Sequence, residues 1–132
     1  MSTHCITRIR SSDKNSPIIL TMYRHYDGGF ETHGVELAEF LVDGTVVNGI
    51  GSNTPKKAWN GMGCLAASLI ANFKNSIGGF YIYSVDSTDC WQDYEYHVYE
   101  DKVVVKNPSE VIFEGSWNDF HSFCYEDEII ED

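Results

Sequence analysis

A chain of 132 residues is one domain's worth, and with 42 % hydrophobic and 14 % aromatic residues it can fill a core without metal or disulfide staples. A formal charge of −11 argues against DNA or RNA as a partner, and no segment approaches the ~20 apolar residues needed to span a bilayer. The charge is uneven: residues 1–85 carry seven Lys/Arg against six Asp/Glu, residues 86–132 two against fourteen, so a local cationic site is possible only in the first part.

Met1–Arg10 lacks the apolar run of a signal peptide, and the expected location is the cytoplasm. Cys5–Arg10 alternates as a strand does, Ser11–Pro17 is turn chemistry, and Ile18–His25 is rich in β-branched and aromatic residues. Together they read as a β-hairpin. Tyr26–Gly34 is a Gly-rich loop, and Val35–Val42 is a short helix that Asp43-Gly44 ends, with Gly44 at the left-handed C′ position.

Thr54-Pro55 reads as an N-cap with proline at the first helical position, and one helical turn is expected around Lys56–Trp59. The main helix runs from near Gly61 to Asn75. Met62, Leu65, Ala66, Leu69, Ile70 and Phe73 form its apolar stripe, and Ala67 and Ala71 keep the opposite side small enough for a second covering layer.

Strands follow at Gly79–Val85, Trp91–Glu100, Val103–Lys106 and Val111–Phe113. Ser116–Tyr125 carries Trp117, Phe120, Phe123 and Tyr125, as a docked segment would. Short connections between neighbouring strands predict antiparallel pairing. The expected fold is α+β, an antiparallel sheet with two central helices packed on one face. Residues 1–125 form the domain and 126–132, with five acids, an acidic C-terminal tail.

Several residue groups could carry chemistry. Arg24, His25, Asp27 and Gly28 sit where a strand opens into a loop; they suit an anion site, acid–base work by His25 and Asp27, or simple capping of the loop. Trp59, Asn60, Gly61, Met62 and Gly63 lead into the main helix, where backbone N–H groups favour negative charge; close helix–sheet packing explains the glycines equally well. Cys64 near a helix start could form a nucleophilic pair with His25 or His33, although its flanking Leu65-Ala66-Ala67 points to burial. The histidines at 4, 25, 33, 97 and 121 lack metal-ligand spacing, and the four cysteines, including Cys90, read as free thiols, mostly buried. No cofactor is implied. The tyrosines and tryptophan of 81–99 divide between core on one face and an oligomer interface on the other, with a stacking floor for a base as a further possibility.

Tyr-Arg-His-x-Asp-Gly at 23–28, His-Gly-x-x-Leu-Ala-Glu-Phe-Leu at 33–41, Asn-Gly-Met-Gly-Cys-Leu-Ala-Ala at 60–67 and Gly-Gly-Phe-Tyr-Ile-Tyr at 78–83 resemble a set of small bacteriophage and prophage proteins. The resemblance covers roughly residues 3–105 and brings no activity with it. It implies an anti-defence role, similar to the sponges that sequester cyclic nucleotide signals as compact homo-oligomers. The leading expectation is therefore a protein binding a small anionic, nucleotide-like ligand, with Arg24 on phosphate, amides near Asn60–Gly63 completing the site, and Trp59 or a tyrosine stacking on a base. The alternative is an acidic inhibitor that binds a host protein through residues 86–132. A small hydrolase or lyase using His25 and Asp27, or Cys64, is the third reading.

Overall fold

A computed structural model describes residues 3–13, 15–88 and 92–130, the last five by backbone alone. Cys90 and Trp91 lie outside the described residues. The hairpin forms as expected: β1 (Cys5–Arg10) pairs antiparallel with β2 (Ile18–Arg24), in register from Cys5↔Arg24 to Ile9↔Leu20. The chain then makes a single π-helical turn, Phe30–Gly34, that runs directly into α1 (Val35–Leu41). The turn draws His33 fully inside, where a loop was expected.

The end of α1 corrects the capping assignment. Asp43 takes the left-handed position, at φ 62°, while Gly44 meets a different demand. A Cβ on Gly44 would stand 2.4 Å from Cζ3 of Trp59, so glycine is there for close approach.

β3 (Thr45–Val47) and β4 (Ala58–Asn60) form a separate parallel ribbon in place of the helical turn expected at 56–59. Trp59 decides this. Its ring is buried against Phe40 at 5.0 Å and Trp117 at 5.9 Å, and that burial outweighs the local helix signal. Thr54 is a turn residue, its Oγ1 accepting from Gly51 N–H at 2.8 Å.

α2 (Met62–Phe73) begins where expected and buries Met62, Leu65, Ala66, Leu69 and Phe73. Ala67 and Ala71 face solvent, so the helix is covered on one side only.

After α2 come β5 (Phe80–Tyr83), β6 (Tyr94–Val98), β7 (Lys102–Lys106), β8 (Val111–Ser116) and α3 (Trp117–Ile130). The sheet order is β5-β2-β1-β6-β7-β8, antiparallel except that β1 and β6 run parallel. Local hairpins alone would have given an all-antiparallel sheet. The exception arises because β5 adds beside β2 while β6, the next strand in the chain, lies on the far side of β1.

The fold is α+β, with three helices contributing to the core rather than two. The docked aromatic segment is α3, which continues through residues 126–130. Trp117, Phe120 and Cys124 of α3 join Leu37 of α1, Leu65 of α2 and alternate strand residues Cys5, Ile9, Met22, Tyr96, Val103 and Val105 in one core cluster. Those strand residues share one face of the sheet by the two-residue repeat of a strand. No described helix is long and apolar enough to cross a membrane.

Candidate functional site

The two-residue repeat splits the 23–28 motif between the faces of the sheet. Arg24 turns to the helix side and Tyr23 and His25 to the other. Arg24 is 9 % exposed, and its guanidinium lies 4.8 Å above the ring of Phe80. Its Nε donates to the Tyr26 carbonyl at 2.7 Å; its Nη1 donates to Glu36 Oε1 at 2.6 Å and to His33 Nδ1 at 3.2 Å. A guanidinium only donates, so His33 Nδ1 is the acceptor and its Nε2–H donates to Thr7 Oγ1, at 2.8 Å. Burial, and secondly the Arg24 charge, push the His33 imidazole down to about 3, so it is neutral at any physiological pH. The acid that pairs with Arg24 is Glu36, a partner the motif alone did not name.

Arg24 borders a cleft of about 420 Å³ between β2, α1 and the C-terminal end of α2. Glu36, Glu39, Asn72 and Asn75 give it polar walls; Val35, Phe40, Phe73 and Phe80 give it apolar ones. Glu39 accepts from Tyr125 Oη and from His121 Nε2, each at 2.7 Å, and these bonds hold its carboxyl below the usual range.

His25 lies elsewhere. Its ring stacks on His4 at 4.6 Å and meets Tyr26 edge-on, its Nδ1 is 3.0 Å from Tyr23 Oη, and its carbonyl accepts from His4 Nδ1 at 2.6 Å. Asp27 is exposed at φ 63°. Gly28 is packed against the start of β1, where a Cβ would come within 2.8 Å of His4, and its carbonyl accepts from Tyr96 Oη at 2.9 Å. Asp27 and Gly28 therefore shape the loop rather than the cleft.

The second expected half-site stands at the opposite end of α2, a helix of twelve residues and so about 18 Å long. Trp59 is 8 % exposed and packed in the core, so its ring is not available to stack on a base. Asn60 Oδ1 accepts from Gly49 N–H at 2.7 Å. Gly61, at φ 87°, donates its N–H to the carbonyls of Val47 and Trp59. Met62 is buried and Gly63 exposed. The structure thus brings Arg24 together with Glu36, Glu39, Asn72 and Asn75, not with Asn60–Gly63.

Cys64 is exposed, against the expectation from its apolar flank, while Cys5 and Cys124 are buried free thiols. Burial pushes the Cys5 thiol up, away from the reactive thiolate. Among the described residues no three His, Cys, Asp or Glu side chains converge as metal ligands. Part of the C-terminal acidity is neutralised internally: Glu95 meets Arg8 and His97, and Glu114 meets Lys102 at 2.8 Å.

Sequence reasoning missed Glu36, Glu39, Asn72 and Asn75. Glu36, one turn after His33, carried a weak signal; Asn72 and Asn75 carried none, because only the sheet order brings the end of α2 beside β2. No family model matches the chain, and no curated protein or solved structure is significantly similar to it.

Proposed function

We propose that the protein binds a small, nucleotide-like ligand in the Arg24 cleft and holds it without turning it over. The observation that carries this reading is Arg24 itself: a guanidinium fixed by Tyr26, His33 and Glu36 at the edge of a small-molecule-sized opening. Arg24 supplies N–H donors, Glu36 and Glu39 supply acceptors, and Asn72 and Asn75 supply both. Glu36 offsets much of the Arg24 charge, so the cleft suits the mixed donor and acceptor edge of a nucleobase better than a bare phosphate. With the resemblance to phage proteins read from the sequence motifs, the role would be sequestration of a signalling nucleotide in the host cytoplasm.

The test is a thermal-shift and calorimetric panel of nucleosides, cyclic di- and trinucleotides and cyclic ADP-ribose isomers. A saturable stabilisation is expected with at least one member, and the ligand should be recovered intact after denaturation. Absence of any shift at ligand far above protein would end the proposal. Recovery of an altered ligand would replace it with an enzymatic one.

A further inference from the structure

β5 is an edge of the six-stranded sheet. His25 N–H donates to Gly79 O at 2.9 Å, and β2 and β5 pair as Tyr23↔Tyr81 and Thr21↔Tyr83. Residues 79, 81 and 83 therefore bond inward to β2, and the backbone N–H and C=O of Ile82 point away from the sheet. Tyr81, Ile82, Tyr83 and Val85 are all exposed, at 38 to 56 %. Phe80–Tyr83 carries no charge, in a chain whose net charge of −11 would make most other surfaces of two copies repel. The opposite edge, β8, carries Glu114.

The two ends of β5 bear opposite charges. Lys74 lies at one end, its Nζ donating to the carbonyls of Gly78 and Phe80 at 3.0 Å each and standing 5.7 Å from the Tyr81 ring. Asp86 lies at the other, kept ionised by a 2.5 Å hydrogen bond from Ser84 Oγ.

We propose that two copies of this chain pair β5 to β5, antiparallel about a two-fold axis at Ile82, joining two six-stranded sheets into one of twelve. In that register Phe80 faces Ser84 of the second copy, and Gly78 faces Asp86. Each Lys74 then meets a carboxylate of the other copy, twice by symmetry. Tyr81 and Tyr83 extend the contact over the sheet face. The lysine that guards an open edge in the monomer becomes the charge partner in the dimer.

Light scattering of the full chain tests this. A mass about twice the 15.0 kDa of one chain is expected, and a monomer at high micromolar concentration would overturn the proposal. Ile82→Pro removes only an outward N–H, as edge strands tolerate, and should halve the mass. Lys74→Asp and Asp86→Lys should each halve it as well, and combining them should restore the dimer. If Ile82→Pro proves unfolded by circular dichroism, the charge exchange decides alone. A dimer indifferent to the single charge reversals would place the interface elsewhere and refute the β5 pairing.

Discussion

Arg24 and Glu36, twelve residues apart in the chain, meet at 2.6 Å where β2 passes the start of α1. The pair ties a strand to a helix and forms one wall of the cleft. Its two side chains differ in exposure, 11 % for Arg24 and 49 % for Glu36, and this difference separates their roles.

Arg24→Ala removes a buried cation and leaves His33 Nδ1 without its donor, so stability should fall by about 1–3 kcal/mol. Glu36→Gln keeps an acceptor at a half-exposed position and should change stability by less than about 1 kcal/mol. Glu36→Gln should nevertheless weaken binding of any ligand that donates to this carboxylate. Chemical denaturation and calorimetry on both variants separate the effects; a Glu36→Gln protein with unchanged affinity would remove Glu36 from the site.

Acid should destabilise the protein in two stages. A free imidazole takes a proton near 6.5, but buried His33 resists until about 3. Below pH 6.5 the unfolded chain therefore holds more protons than the folded one. The His33 contribution is complete above 6.5 and is lost as pH falls toward 3, at up to about 1.4 kcal/mol per pH unit. His97, lowered mainly by burial, acts in the same direction. The Glu95 carboxyl is held at about 2, chiefly by the hydrogen bond with His97, so its contribution is present above 4.5 and lost as pH falls through 2. Urea midpoints across pH 7.5 to 4 should decline steadily, and His33→Gln should flatten the part above 4.5. A wild-type midpoint that is level from pH 7 to 4.5 would contradict the neutral His33.

Arg8 should prove as important as Arg24, although it touches no part of the cleft. It is buried, donating to Thr21 Oγ1 at 2.9 Å, to the Val85 carbonyl at 3.1 Å, to the Ser87 carbonyl, and to Glu95. Arg8→Met strips these groups of a donor and leaves Glu95 with only its His97 and Gln92 bonds, at a cost of about 1–3 kcal/mol. Hydrogen exchange should quicken at residues 85–88 before it quickens in β7. Uniform exchange along the chain would mean that Arg8 does not pin the chain after β5.

The end of α1 offers a paired test. Gly44→Ala drives a methyl into the Trp59 ring and should cost about 1–3 kcal/mol. Asp43→Gly relieves a side chain at positive φ and should be neutral or stabilising by up to about 1 kcal/mol. Thermal melts check both, and the reverse order of effects would restore Gly44 as the left-handed residue.

By itself the sequence determined the elements whose signals are local. Alternation set β1 and most of β6; β-branched and aromatic content set β2; apolar spacing set α2; Gly61 set where α2 begins. These depend on side chains within one or two turns of each other, so period and turn chemistry were enough. Tertiary structure decided the rest. Trp59 drew residues 58–60 into a strand because its burial between Phe40 and Trp117 exceeds any local preference. β5 added beside β2, which left β6 to pair parallel with β1, and Arg8 and Thr21 hold the chain after β5 at Val85. The cleft joins Arg24 to Asn72 and Asn75, residues about fifty positions away, and no spacing along a chain records which strand a helix end will face. Local sequence carries local free energy; the order of the sheet is set by contacts between residues far apart in it, and the site depends on that order.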